Sequence, residues 1–147
     1  MHIMNVDIET YSDVDITKAG AYAYAGSPAF EILLIAYKID DEPVKVLDLK
    51  TGQAKQGSIQ TDIQKQFDKD CRRFYDILSD PDYIKTAYNA NFERTCLAAY
   101  LKKPMPPEQW RCTAVHAATL GLPATLGAVG EALGLPEDKQ KDKIGKS

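Results

Sequence analysis

Two acidic residues near the start of the chain are the first that could perform chemistry. Asp7 and Glu9 end an apolar, largely β-branched stretch that predicts a buried strand. Because alternate side chains of a strand point to the same face, both carboxylates should converge at the strand end, where open α/β sheets bind ligands. Such a pair repels unless it shares a proton or a metal, and its hard oxygens suit Mg²⁺ or Mn²⁺. The alternative is a strand end that runs into solvent.

A third acid follows the fourth predicted strand. Within residues 86–97, Asn89 directly follows that strand and a helix begins soon after it, with Glu93 in the first turn. The helix dipole and free backbone N–H groups stabilise an acid there, which gives Glu93 a purely structural explanation. If the helix start lies beside the end of the first strand, Glu93 instead adds a third carboxylate to Asp7 and Glu9.

The hydrophobic pattern predicts the elements that must position these acids. Strands are predicted over residues 1–10, 31–39, 44–49, 83–88 and 110–112. Helices are predicted over residues 59–78, 92–103, 114–120 and 125–133, with Asn91 and Thr113 as caps. Loops are predicted over residues 11–30, 51–58 and 136–147. The chain begins with three predicted strands and continues with alternating helices and strands. This order predicts a mixed sheet with helices packed on its faces.

Four aromatic residues fall in the first predicted loop: Tyr11, Tyr22, Tyr24 and Phe30. Beside a candidate site they could stack on nucleic-acid bases. An equally good alternative is that they pack this loop onto the sheet.

Composition limits the class of protein. A chain of 147 residues with 44% hydrophobic content predicts one domain with a real core. The net charge of −3 excludes a global basic field but leaves room for a local basic groove. Three cysteines, an odd number, favour a reduced, cytoplasmic protein. No signal peptide or membrane-spanning run is predicted.

Several segments resemble the DnaQ-like, or DEDD, 3′→5′ exonucleases. Residues 7–10, Asp-Ile-Glu-Thr, resemble the first motif of that family, Asp-x-Glu-Thr. Residues 88–93, Tyr-Asn-Ala-Asn-Phe-Glu, resemble the second, His-Asn-Ala-x-Phe-Asp. Residues 18–24 look most like the exonuclease domain at the N-terminus of bacteriophage-type family A DNA polymerases. The resemblance covers essentially the whole chain.

The resemblance implies a ribonuclease H-like α/β fold. Its five-stranded mixed sheet has the order 3-2-1-4-5, with strand 2 antiparallel to both neighbours. Hairpin signals before residue 50 and alternating helices and strands after it favour the same arrangement. Residues 1–147 would form a single exonuclease domain of a phage or prophage DNA polymerase.

The resemblance also implies a two-metal mechanism that hydrolyses DNA from its single-stranded 3′ end to nucleoside 5′-monophosphates. Asp7, Glu9 and Glu93 would be both the catalytic residues and the ligands of Mg²⁺ or Mn²⁺. The residues expected to contact nucleic acid are Thr10, Tyr11, Tyr22 and Asn89.

Two departures from the family pattern predict low activity. Glu93 stands where the wider family has Asp, and no third motif, Tyr-x-x-x-Asp or His-x-x-x-x-Asp, follows it. We therefore expect a domain that is incomplete at its C-terminus and degrades DNA slowly or not at all. The expected partners are single-stranded DNA, the polymerase domain of the parent protein and a second copy bound through exposed apolar surface. Two alternatives are an inactive nucleic-acid-binding fragment and another ribonuclease H-like metal nuclease.

Overall fold

The computed structural model describes residues 1–51 and 61–141. The strands in this part of the chain are β1 (His2–Tyr11), β2 (Glu31–Ile39), β3 (Lys45–Asp48), β4 (Tyr83–Ala87) and β5 (Trp110–Cys112). The helices are α1 (Ile16–Gly26), α2 (Asp62–Leu78), α3 (Ala90–Leu101), α4 (Thr113–Thr119) and α5 (Leu126–Ala132). Short 3₁₀ turns cover Pro107–Gln109 and Glu137–Lys139. Most of the predicted loop 51–58, the first two residues of the predicted helix 59–78 and residues 142–147 lie outside the described residues.

The five strands form one mixed sheet in the predicted order, β3-β2-β1-β4-β5. β2 runs antiparallel to both β1 and β3, whereas β4 is parallel to β1 and β5 is parallel to β4. The apolar strand β2 is an inner strand, as its sequence predicts. This order places β1, which carries the two acids, at the centre of the sheet.

The two faces of β1 have opposite environments. Met4, Val6 and Ile8 are buried in the core, which also contains apolar side chains of α2 and α3. Asp7 and Glu9 alternate with them and are exposed on the opposite face. Each buried Val, Ile or Met side chain contributes about 1.5–3 kcal/mol relative to an exposed one. This burial pattern therefore fixes which face of β1 presents the acids.

Residues 11–30, predicted as a loop, contain the helix α1, so that prediction is wrong. The side chain of Asp15 caps the helix by accepting a hydrogen bond from the Thr17 N–H at 2.9 Å. Gly20 interrupts the helix with φ 82° and ψ 169°, a conformation that suits glycine. Asp15 and Gly20, residue types that are common in loops, are here the cap and the break of a helix.

The start of α3 also differs from the prediction. Asn89, rather than Asn91, occupies the capping position, and its side chain makes no capping hydrogen bond. Asn91 lies inside the helix, where its side-chain oxygen accepts from the Arg94 guanidinium at 3.1 Å. Similarly, Thr113 is the first residue of α4 rather than its cap.

Candidate functional site

A β-bulge marks the end of β1 that carries the acids. Glu9 is paired with Leu34 of β2, but Thr10 is paired with Ile32, so the register shifts between Glu9 and Thr10. Bulges twist a strand locally and redirect its side chains, and they are common beside active sites. The extra residue, Leu33, belongs to β2 and lies opposite the Glu9–Thr10 step of β1.

Glu93 is in the first turn of α3 and is only 6% exposed. Its Oε2 atom has no hydrogen-bond partner within the described part of the chain. Burial raises the pKa of Glu93 from 4.5 to about 7; its own backbone N–H opposes the shift, and the charge of Asp7 adds to it. The structure thus brings Glu93 within electrostatic reach of Asp7.

A buried carboxyl group with an unpaired oxygen is costly, because it has lost its hydration without gaining a partner. The cost rises when a second carboxylate acts on it, and a shared proton or cation relieves it. The oxygen ligands of Asp7, Glu9 and Glu93 are of the kind that Mg²⁺ and Mn²⁺ prefer. The donor chemistry and the unpaired oxygen therefore fit a divalent ion.

The three acids do not form a closed cluster. Among residues 1–51 and 61–141, no group of three or more His, Cys, Asp or Glu side chains is arranged so that it could hold a metal ion. Glu9 is exposed on the same face of β1 as Asp7, whereas Glu93 is buried in the first turn of α3. The assignment of these three residues as metal ligands stays a prediction.

The predicted nucleic-acid contacts fall into two groups. Tyr11 and Tyr22 are 54% and 71% exposed, and Asn89 is also exposed at the start of α3. The Thr10 side chain is half-buried, and its hydroxyl shares a 2.9 Å hydrogen bond with the Tyr24 hydroxyl. The first group is accessible to a ligand, whereas the hydroxyl of Thr10 already has a protein partner.

The structure shows the packing alternative for two of the four aromatic residues. Tyr24 packs edge-on against Phe30, with 5.8 Å between ring centroids, and contacts Phe92 at 6.0 Å. Tyr11 and Tyr22 instead leave their rings in solvent. Packing therefore accounts for Tyr24 and Phe30, and stacking on bases stays a prediction for the other two.

One buried charged residue was not anticipated. Lys85 of β4 is fully buried, and its Nζ atom donates hydrogen bonds to the Asp80 carbonyl at 2.6 Å and to Gln109 Oε1 at 2.8 Å. Burial lowers its pKa. The only sequence signal was a lysine inside an otherwise apolar part of a strand.

Comparisons with known proteins point to a DNA polymerase. No family model matches the chain. A DNA polymerase of Bacillus phage SP02 is 48% identical over all 147 residues, and the chain spans 20% of the length of that protein. The chain is therefore similar, along its whole length, to one part of a phage DNA polymerase, which supports a polymerase-associated domain.

The fold also has a relative among solved structures. A chain in the structure of the yeast NOT1 MIF4G domain co-crystallized with CAF1 matches with a TM-score of 0.56 and 12% identity. The match covers 99% of this chain and 72% of that chain, and at this identity it concerns the fold alone. No helix within the described residues is long and apolar enough to cross a membrane.

Proposed function

We propose that this chain is a metal-dependent 3′→5′ exonuclease domain of a phage DNA polymerase, with a ribonuclease H-like fold. The observation that carries the proposal is the buried Glu93, whose unpaired oxygen lies within electrostatic reach of Asp7. The 48% sequence identity to a phage DNA polymerase, along the whole chain, supports a phage DNA polymerase as the parent protein. The two acidic motifs support the reaction.

In this proposal Asp7, Glu9 and Glu93 hold Mg²⁺ or Mn²⁺. When bound, such ions supply Lewis-acid stabilisation of the phosphoryl group and an activated water. Asp7 and Glu9 present anionic oxygens on the open face of the sheet, where a DNA strand has access. Glu93 contributes a carboxyl group that the core shields from water, which strengthens its interaction with a cation.

The DNA strand would approach along the exposed aromatic residues. The Tyr11 side chain lies on the same face of β1 as Asp7 and Glu9, because the three alternate along the strand. Stacking of the terminal bases on Tyr11 and Tyr22 would place the 3′ end beside the acids without reading its sequence. Asn89, at the start of α3, would supply a further polar contact.

The open face of the sheet is also the proposed contact with other protein. Asp7 is paired with Ala36, which is paired in turn with Val46, and Val46 is 63% exposed. We propose that the polymerase covers the apolar side chains of Ala36 and Val46, beside the acids, in the parent protein and that a second copy covers them in the isolated chain.

The test is digestion of 5′-labelled single-stranded DNA in Mn²⁺ by the wild-type chain and by Asp7→Ala. We expect slow laddering from the 3′ end that disappears in Asp7→Ala and in EDTA. Slow turnover is expected because no third motif follows Glu93, and a missing group that orients the water commonly costs about 10²–10⁴-fold.

The other possible outcomes separate the alternative functions. Internal cuts that depend on metal would indicate another ribonuclease H-like nuclease. DNA binding without cleavage at any metal concentration would indicate the inactive nucleic-acid-binding fragment. Cleavage that survives Asp7→Ala would refute the site.

A further inference from the structure

We propose that Tyr24 is a positioning residue, which joins the end of β1 to the start of α3 and thereby sets the separation of the acids on the two elements. The inference rests on the proposed function, because it assigns Tyr24 a role at the same site. Tyr24 touches neither a metal ligand nor the substrate in this account. It acts through two neighbours, Thr10 and Phe92.

The hydroxyl of Tyr24 holds the end of β1. It shares a 2.9 Å hydrogen bond with Thr10 Oγ1, and Thr10 directly follows Glu9. The Ser12 hydroxyl donates a second hydrogen bond to the Tyr24 carbonyl, also at 2.9 Å. Both bonds lie next to the β-bulge between Glu9 and Thr10, where the regular pairing of β1 with β2 is interrupted. Contacts from α1 therefore support the strand where its own ladder is weakest.

The ring of Tyr24 holds the start of α3. It contacts the Phe92 ring, with 6.0 Å between centroids and an interplanar angle of 50°, and Phe92 directly precedes Glu93. Phe30 also contacts the Tyr24 ring, with 5.8 Å between centroids, and all three rings pack against the core. The Asn89 side chain makes no capping bond, so packing of Phe92 is a principal support of this helix start.

The contacts of Tyr24 with Thr10 and with Phe92 therefore each lie one residue away from a proposed metal ligand. Losing the hydroxyl frees the Glu9 side of the site, and losing the ring frees the Glu93 side. Metal sites are sensitive to such changes, because groups that orient the ligands typically account for about 10–100-fold in metal affinity.

The experiment compares Tyr24→Phe with a matched control, Tyr37→Phe. The Tyr37 hydroxyl donates one hydrogen bond to the Asp70 carbonyl at 3.0 Å, and its ring is buried against Phe74, so the control loses a similar bond elsewhere. Mn²⁺ affinity is measured by titration calorimetry, and amide hydrogen exchange is measured for residues 9–11 and 92–94. Thr10→Val and the double variant with Tyr24→Phe complete a thermodynamic cycle.

We expect Tyr24→Phe to weaken Mn²⁺ binding about 10-fold, Thr10→Val to match it, and the double variant to be no weaker than either. Exchange should become faster only in residues 9–11 for Tyr24→Phe, in both segments for Tyr24→Ala, which also loses the ring contact with Phe92, and in neither for Tyr37→Phe. A Tyr24→Phe protein that melts earlier but binds Mn²⁺ like the control would overturn the inference, because its role would then be structural only. Unchanged exchange in residues 92–94 for Tyr24→Ala, or in residues 9–11 for Tyr24→Phe, would also overturn it.

A wild-type chain that binds no Mn²⁺ refutes the proposed function. Hydrogen exchange then decides by itself whether Tyr24 joins the two segments.

Discussion

Lys85 and Glu93 are two buried charged side chains that the fold treats differently. Lys85 is fully buried, yet its amine donates two short hydrogen bonds, to Asp80 and Gln109. Glu93 is almost as buried, and one of its oxygens has no partner in the described part of the chain. Burial lowers the pKa of Lys85 and raises that of Glu93 to about 7. The protein therefore satisfies one buried charge and leaves the other incomplete.

The locations of the two residues explain this difference. Lys85 joins the turn before β4, at Asp80, to the 3₁₀ turn before β5, at Gln109, and so holds two connections of the sheet together. Glu93 lies on the helix that follows β4, where the charge of Asp7 on β1 acts on its carboxyl group. A buried charge with its own partners indicates a structural role, whereas an unpaired one beside a second acid favours a ligand site.

The largest change in stability should come from Lys85→Ala. This substitution leaves a cavity and removes both donors from the Asp80 carbonyl and the Gln109 amide, which together should cost about 3–5 kcal/mol. For a domain of this size that corresponds to a melting temperature lower by roughly 6–20 °C. Chemical denaturation of both variants at neutral pH should show Glu93→Ala to be much less destabilised. Equal losses would mean that Glu93 is as structural as Lys85.

The second prediction concerns pH and the metal-free protein. Because the fold raises the pKa of Glu93 from 4.5 to about 7, the folded chain binds more protons than the unfolded chain between these values. Stability should therefore fall as the pH rises through this window and stay reduced above it. Glu93→Gln does not titrate, so relative to wild type it should gain on the order of 3 kcal/mol at most between pH ~4 and pH ~8.

Urea denaturation in EDTA across this pH range measures that difference. Lys85→Met is the control, since it leaves Glu93 in place and should keep the wild-type slope between pH ~4 and pH ~8. A stability difference between Glu93→Gln and wild type that is flat with pH would show that Glu93 is not held in its neutral form.

A third prediction compares aromatic residues at the two ends of β1. Tyr11→Ala, at the end of β1 that carries the acids, should weaken single-stranded DNA binding by about 1–3 kcal/mol, the usual value of one stacked base. Tyr83, paired with His2 at the opposite end of β1, supplies the control, and Tyr83→Ala should leave DNA affinity unchanged. Fluorescence anisotropy in Ca²⁺ measures both. Equal DNA affinities for wild type and Tyr11→Ala would show that the DNA does not stack on Tyr11.

The smallest change in stability is expected at an exposed ion pair, which serves as a reference for the changes at the buried residues Lys85 and Glu93. Arg73 forms two hydrogen bonds of 2.7 Å with the Glu42 carboxylate, and both side chains are well exposed. Because water and salt screen such a pair, Arg73→Ala should change the melting temperature by no more than about 3 °C. The change should shrink further in high salt, which calorimetry at two salt concentrations would reveal.

The sheet could be predicted from sequence because its signals are local and redundant. The apolar run of β2, the turn after it and the alternation of β3 define a hairpin, and the helical periods after residue 60 require crossover connections. The helix α1 was missed because its alanine-rich sequence has little hydrophobic periodicity and Gly20 breaks it. The bond between Tyr24 and Thr10 depends on that helix, and so it could not be predicted either.

The candidate site was only partly predictable for a different reason. The alternation of Asp7 and Glu9 follows from strand geometry, and the structure places both on one exposed face. Burial of Glu93 and Lys85 could not be inferred, because glutamate and lysine are usually exposed and no local pattern identifies an exception. Only the packing of α3 and of the turn before β5 determines which of these charges has partners.

A calorimetric titration of Mn²⁺ into the metal-free chain, beside Glu93→Gln and Lys85→Met, tests directly whether Glu93 helps to hold a metal ion. We expect a saturable site in wild type, binding weakened by 10-fold or more (~1.4 kcal/mol) in Glu93→Gln, and unchanged affinity in Lys85→Met. Equal Mn²⁺ affinity in wild type and Glu93→Gln would contradict this expectation, because the unpaired carboxyl group would then have no part in holding a metal.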